Sequence, residues 1–275
     1  MDIAILSDEI SLDLTEALAL GKDMGFTKYE IRCADDYGHR VPDLKAPRLD
    51  ELRRAVLDKA IEITGLSPGL FKVPLENRIQ IEKDLTDLLP RTCDLCLALA
   101  CPRIIVFSGI QTAEGSREAA MELLHKAGEV VGKAGLELAV ENEPGFYCDT
   151  GVNTAAFIRE LNLPHVGINW DPANAIIAGE AAYPVGYDAA LPLIRNVHVK
   201  DSIPLPPDKW ENRLLGDGGV NWLGQIRSLL RDRPVSHITL ETHVFPVLPN
   251  TREDLRRLQW LIASAAGFFG NPSAL

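Results

Sequence analysis

The stretch Leu136–Gly145, LELAVENEPG, is an apolar run that ends in two carboxylates, a proline and a glycine. The apolar residues are typical of a buried β-strand, and Pro144 with Gly145 marks the turn that follows it. A buried carboxylate is costly unless it is paired, hydrogen-bonded or bound to a metal ion. Glu141 and Glu143 are therefore either the solvated end of a strand or groups that the fold requires at that point.

Runs of the same kind recur along the whole chain of 275 residues and alternate with stretches whose apolar residues have helical spacing. Strict alternation of strands and helices implies parallel strands joined by right-handed crossovers. No GxGxxG follows the first strand, which disfavours an open dinucleotide-binding sheet. Eight such units in this length favour a closed barrel. The predicted strands are Ile3–Leu6, Tyr29–Arg32, Glu62–Leu66, Arg103–Phe107, Glu137–Val140, Val166–Trp170, Ile194–Val199 and His237–Leu240.

We therefore predict an α/β fold, a single-domain (β/α)8 TIM barrel over residues 1–270, with a loose C-terminal tail at 271–275. Thr251, with Asp254 three residues later, is predicted to cap the N-terminus of the last helix. The irregular stretches Asp35–Pro47, Pro144–Gly151 and Ser202–Gly219 all follow strands. In such barrels, the loops after the strands build the active site.

The composition excludes several classes of protein. Lys and Arg number 28 against 39 Asp and Glu, for a net charge of −11, which argues against a nucleic-acid-binding protein. No apolar run approaches the length of a membrane span. The five cysteines form an odd set without a secretory signal, which indicates reduced thiols and a cytoplasmic protein. Cys93 and Cys96 form one CxxC inside a helical run, and we interpret them as structural thiols.

The ends of four consecutive strands carry residues that could hold a metal ion. The fifth strand ends in Glu141, the sixth in Asp171, the seventh carries His198, and the eighth ends in Glu241. One carboxylate at a strand end is equally well explained as a helix N-cap or a solvated side chain. Three carboxylates and one imidazole on adjacent strands suit one divalent ion such as Mn²⁺, Mg²⁺, Co²⁺ or Zn²⁺, which would remove their mutual repulsion.

The motifs VENEPG, WDPAN, VHVKD, LLGDGGVNW and LETH, in this order, resemble the xylose isomerase-like TIM-barrel superfamily. The similarity covers nearly the whole chain and is of the sugar phosphate isomerase/epimerase type. The superfamily also includes inosose dehydratases, hydroxypyruvate isomerases and type IV apurinic endonucleases. The resemblance implies that Glu141, Asp171, His198 and Glu241 are the metal ligands. In the isomerase and epimerase branches, it further implies that Glu141 and Glu241 form the catalytic acid/base pair.

From these residues we predict a metal-dependent isomerase or epimerase that acts on a small sugar, sugar phosphate or related hydroxy-carbonyl compound. The metal would polarise the carbonyl and stabilise an enediolate while one glutamate removes a proton from carbon and the other returns one. A dehydratase of the inosose dehydratase type begins with the same step and is the alternative. A non-catalytic sugar-binding barrel and an apurinic endonuclease-like nuclease are disfavoured. Asn174 stands where that nuclease branch has a histidine ligand, and strands three and four end without one.

Five further residues are predicted to contact a carbohydrate substrate or to support the site. Lys200 points to the same side of its strand as His198, and it either stabilises a substrate oxyanion or neutralises an interior carboxylate. Glu30 and Arg32 alternate on the second strand and point to one face, so they either frame the pocket as an interior pair or form a structural salt bridge, and we favour the pocket for Glu30. The amide of Asn174 could bind a hydroxyl group, Arg213 a substrate oxygen or phosphate, and His243 could hold a ligand of the metal. The sequence does not determine the oligomeric state, and a homodimer is the candidate because barrels of this type often form dimers.

Overall fold

Eight parallel strands close into a barrel in the computed structural model, which describes residues 1–205 and 209–269. The order around the barrel is β1, β12, β9, β8, β7, β6, β5 and β2, and two small hairpins, β3–β4 and β10–β11, lie outside it. The predicted (β/α)8 barrel is confirmed. The strands are β1 Asp2–Leu6, β2 Lys28–Ile31, β3 Cys33–Asp36, β4 His39–Arg40, β5 Glu62–Leu66, β6 Arg103–Val106, β7 Glu137–Glu141, β8 Val166–Trp170, β9 Ile194–Val199, β10 Asp201–Leu205, β11 Lys209–Arg213 and β12 His237–Leu240.

Helices surround the barrel and bury one apolar face each against the strands. Side chains cap several of them, since Asp13, Ser116, Thr150 and Asn221 each accept a hydrogen bond from a backbone N–H in the first turn. None of the helices described is long and apolar enough to cross a membrane. The α-helices are α1 Leu14–Asp23, α2 Ala46–Leu57, α3 Arg78–Lys83, α4 Leu89–Ala98, α5 Arg117–Lys133, α6 Gly151–Leu161, α7 Pro172–Ile177, α8 Tyr187–Ala190, α9 Trp222–Asp232 and α10 Val247–Phe269.

Two sequence predictions about local structure are wrong. The last helix begins at Val247, so Thr251 lies inside α10 rather than at its cap, and its hydroxyl donates to the carbonyl of Glu9 over 2.7 Å. The stretch after β9 is not irregular throughout, because β10 and β11 pair as an antiparallel hairpin. The predicted tail at 271–275 lies outside the described residues.

The cysteines are buried thiols without disulfide bonds, as the sequence indicates. Cys96 in α4 is fully buried, and Cys93 in the same helix is nearly so. Burial raises the pKa of Cys93 to about 11, and a thiol that stays protonated is unreactive at neutral pH. Their environment supports a structural role for the CxxC.

His237 begins β12 at the end of the barrel opposite the carboxyl ends of the strands, and only 3% of its surface is exposed. Burial, followed by the nearby charge of Arg103, lowers the pKa of its imidazole to about 4. The unfolded chain binds this proton near pH 6.5, so between about pH 6.5 and about pH 4 the unfolded state holds more protons. Stability is therefore lost as the pH falls through this window.

When the pH falls from about 7 to about 4.5, the parent should lose about 2 kcal/mol more unfolding free energy than His237→Gln, which has no imidazole to protonate. Urea unfolding curves at the two pH values measure the difference. His125→Gln, on the exposed face of α5, is the control and should behave as the parent does. Equal losses in the parent and in His237→Gln would show that His237 is protonated without cost in the folded state.

Candidate metal centre

A cavity of about 220 Å³ opens at the carboxyl ends of the strands, on the face where the sequence predicts an active site. Glu141, His198, Lys200 and Glu241 line its deep part. Its mouth is formed by the more exposed side chains Arg40, Lys72, Glu143, Ile177 and Trp210.

The four predicted ligands converge in this cavity. One candidate ligand atom from each of Glu141, Asp171, His198 and Glu241 lies within 4.8 Å of the others, and all four residues are buried. Asp171 combines the two roles that the sequence left open. Its Oδ1 accepts from the backbone N–H of Asn174 over 2.9 Å and so caps α7. Its Oδ2 lies 2.6 Å from the ammonium of Lys200, which also contacts Glu241.

His198 presents one ring nitrogen to the cluster and the other to a carboxylate beneath it. Its Nδ1 lies 3.2 Å from Glu241 and 3.6 Å from Glu141, whereas its Nε2 lies 3.0 Å from Oε1 of Glu30. A carboxylate that holds the far nitrogen of an imidazole is the usual partner of a metal-ligating histidine. Glu30 is fully buried and does not line the cavity, so its position is that of a support for His198.

Amide side chains continue this support through the interior of the barrel, where aliphatic residues usually pack. Asn196 donates to Glu30 over 2.9 Å and to the amide oxygen of Asn169 over 3.0 Å. Asn169 donates in turn to Glu141 over 3.0 Å, and Ser67 donates to Glu30. We call these five residues the interior network. It fixes the orientation of Glu141 and, through Glu30, that of His198.

Positive side chains pair with both carboxylate oxygens of Glu241. Lys200 Nζ lies 3.1 Å from Oε2, while Arg32 Nη1 and His243 Nε2 each lie 3.1 Å from Oε1. Burial alone would raise the pKa of Glu241, but Lys200, His243 and His198 outweigh it and hold that pKa well below its usual range. Glu241 is therefore a carboxylate kept in its charged form by its surroundings.

The donor set fits a divalent cation. Burial raises the pKa of Asp171 to about 6, although the ammonium of Lys200 lies only 2.6 Å away and acts to lower it. The negative charges of Glu241 and Glu141 raise this pKa further. Burial likewise opposes ionisation of Glu141, and the neighbouring His198 lowers the pKa of that carboxyl. Carboxylates held this close repel each other, and a dication bound between them would remove that repulsion.

His243 lies just after β12 in a left-handed conformation, with φ of 54°. Its Nδ1 lies 2.6 Å from Oε1 of Glu9, and its backbone N–H donates to Oε2 of the same residue over 2.8 Å. Burial would lower the pKa of the imidazole, but Glu241 and Glu9 raise it to about 10. The structure thus places His243 as a charged link between Glu9 and Glu241.

The remaining predicted contacts differ in position. Asn174 lines the cavity, but its amide nitrogen donates to Glu141 over 3.2 Å and to Glu143 over 3.3 Å. Arg213 ends β11, pairs with Glu211 over 2.7 Å and does not line the cavity. Arg32, which the sequence placed either at the pocket with Glu30 or in a salt bridge, lines the cavity and joins Glu241 to the carboxylates that follow β1.

A model of the xylose isomerase-like TIM barrel family matches residues 18–262. This range holds the four candidate ligands and all of β2 to β12. The chain belongs to the xylose isomerase-like TIM barrel family. The resemblance drawn from the motifs is confirmed. No curated protein matches the chain.

Solved structures share the fold of this barrel family at low sequence identity. An IOLI protein with a bound zinc atom is 16% identical, with a TM-score of 0.79 over 96% of this chain and 98% of its own. An L-ribulose 3-epimerase is also 16% identical, with a TM-score of 0.76 over 97% and 96%. The probable 3-DHS dehydratase AsbF from Bacillus anthracis is 18% identical, with a TM-score of 0.76 over 94% and 99%. At this identity, the likeness establishes the fold alone.

Proposed function

We propose that this barrel is a divalent-metal-dependent isomerase or epimerase of a small sugar, sugar phosphate or related hydroxy-carbonyl compound. One observation carries the proposal: two glutamates and an imidazole meet in the deep part of a cavity large enough for a small molecule. Glu141 and Glu241 each lie within 3.6 Å of His198 Nδ1, and Asp171 completes the cluster. Paired carboxylates in a cavity are the groups that proton transfer at carbon requires.

Glu141, Asp171, His198 and Glu241 would hold the metal ion. Bound there, a divalent ion supplies Lewis-acid polarisation of a carbonyl group and balances negative charge on its oxygen. The zinc atom in the similar IOLI protein supports a metal in this barrel family.

The protein's own groups then position and move the proton. One of the two glutamates takes a proton from the carbon next to the carbonyl, and the other returns one to the opposite face or to the neighbouring carbon. Lys200 Nζ has three N–H donors, donates to Glu241 over 3.1 Å and lies 2.6 Å from Oδ2 of Asp171, which leaves a donor for a substrate oxygen. The interior network holds Glu141 in place, which keeps the proton acceptor fixed while the substrate reacts.

Solvent exchange tests this function. In D₂O with Mn²⁺, the protein should place deuterium on the carbon next to the carbonyl of its ketose substrate and yield an isomeric sugar that retains deuterium. Removal of the ion by a chelator should abolish exchange, and added Mn²⁺ should restore it. The substrates tested are neutral ketoses, the phosphate esters of these ketoses and the corresponding compounds with a terminal carboxylate. NMR follows the deuterium incorporation in each.

The outcomes separate the reactions of this barrel family. Loss of water with a new enone absorbance would replace the isomerase proposal by a dehydratase, which begins with the same proton removal. Absence of both exchange and dehydration across these substrates, with no metal bound by the purified protein, would contradict an enzymatic role for the cluster.

A further inference from the structure

Arg40 differs from the other positive side chains of the cavity. Among the residues that the structure describes, no carboxylate lies within 4.0 Å of its guanidinium. Each other cation of the cavity wall has such a partner, with Arg32 against Asp8 at 2.6 Å, Lys72 against Glu143 at 2.9 Å and Lys200 against Asp171 at 2.6 Å. Within the described part of the chain, Arg40 is therefore the cation of the cavity wall whose charge no neighbouring carboxylate balances.

Two backbone features help to place this guanidinium, namely the carbonyl of Tyr37 and the glycine at position 69. Arg40 ends the hairpin β3–β4, and its Nε donates to the carbonyl of Tyr37 over 3.0 Å. Gly69, in the loop after β5, lies directly beneath it. A Cβ at residue 69 would lie 2.4 Å from Nη1 of Arg40, and the φ of +79° at Gly69 is one that side chains rarely adopt. The glycine thus leaves the space that the guanidinium occupies.

Among the described residues, the protein holds Arg40 through Nε, so its Nη donors are available to a ligand. A guanidinium presents its donors in a planar fork that matches the oxygens of a carboxylate or phosphate. A half-buried site strengthens such a pair relative to one in open water. Lys72 gives no competing signal, because Glu143 neutralises it and its ammonium lies 4.3 Å from the centre of the Phe107 ring.

We propose that Arg40 binds a terminal carboxylate or phosphate on the substrate. This inference rests on the proposed function and narrows its substrate to hydroxy-carbonyl compounds that carry an anionic group. The carbonyl end would lie at the metal-ligand cluster, and the anion at the mouth of the same cavity. The sequence assigned such a contact to Arg213, but that side chain is paired with Glu211 and lies outside the cavity wall.

The test is a titration of the whole chain with inorganic phosphate and, separately, with glycolate. Calorimetry gives the affinity, and NMR follows the arginine Nε–H signal that disappears in Arg40→Gln. We expect that signal to shift saturably in the parent, and the affinity to fall at least tenfold in Arg40→Gln. Gly69→Ala keeps the charge but displaces it and should weaken binding at least threefold. Arg213→Gln is the matched control and should leave the affinity unchanged.

Saturation with phosphate alone identifies a phosphate ester, and saturation with glycolate alone identifies a carboxylate. Saturation with both supports an anion site that accepts either. Failure of the Arg40 signal to shift with either anion, or an affinity retained in Arg40→Gln, would overturn the proposal. Because the titration needs no turnover, an anion site without deuterium exchange would refute the proposed reaction alone, and exchange without an anion site would refute this inference alone.

Discussion

Glu141→Gln is expected to slow the exchange of substrate hydrogen with solvent by about 10³-fold, within the range that a positioned acid or base contributes. The substitution removes the proposed metal ligand and proton acceptor but keeps the shape of the side chain. Initial rates of deuterium incorporation at saturating Mn²⁺ measure the effect, and metal titration by calorimetry separates lost binding from lost proton transfer.

A control for this variant lies on the same strand. Glu137→Gln changes the first residue of β7, at the opposite end of the barrel, where the carboxylate lies 3.3 Å from Arg103. It should keep its exchange rate within about threefold, since Glu137 pairs with Arg103 and Arg195 at the far end of the barrel and does not line the cavity. A Glu141→Gln protein that exchanges within tenfold of the parent would contradict the role of Glu141 as the proton-transfer group.

Lys200→Met is expected to destabilise the metal-free protein by about 3 kcal/mol, because removing one partner of a buried ion pair leaves its carboxylates uncompensated. Asp171 and Glu241 lie 2.6 and 3.1 Å from the ammonium that the substitution removes. With a divalent ion bound, the same carboxylates are neutralised, and the loss should shrink to about 1 kcal/mol. Urea unfolding with a chelator and with saturating Mn²⁺ measures both values.

Lys72→Met is the matched control for this experiment. Lys72 also lines the cavity, but its side chain is 43% exposed and it faces one carboxylate, that of Glu143. Its loss should cost less than about 1 kcal/mol under both conditions. If Lys200→Met costs the same with and without Mn²⁺, the ion does not bind between Asp171 and Glu241, and the ligand assignment is wrong.

The barrel strands were readable from sequence because both of their faces are buried. β5, β8, β9 and β12 have the predicted bounds, β1, β6 and β7 differ by one residue at one end, and β2 is shifted by one residue at both ends. The hairpins were missed, because β3–β4 and β10–β11 are short and largely polar, with little apolar pattern to mark them. Thr251 has the sequence signature of a cap, but its hydroxyl bonds to Glu9, which is distant in sequence.

The cluster of candidate ligands was readable for a geometric reason, since parallel strands bring their carboxyl ends to one face. The side chains that support it were not. Asn196 lies two residues before His198 on β9, and Asn169 lies two residues before Asp171, which directly follows β8, so alternation predicts that both point inward. Nothing in the sequence states which pairs of them meet. That Arg40 meets no carboxylate within residues 1–205 and 209–269 depends on the tertiary fold, and no local pattern encodes it.

The interior network has a consequence for how this barrel can change over generations. Glu30, Asn196, Asn169 and Glu141 bond to one another in series, so replacing any one leaves a buried donor or acceptor without a partner. Substitutions within such a chain are not additive. Descendants of this sequence should therefore exchange these residues in compensating pairs, whereas the rim of the cavity can drift one position at a time. Epistasis within the interior network therefore constrains the reaction that the deep part of the cavity supports. New substrate specificity would arise from substitutions at the mouth of the cavity.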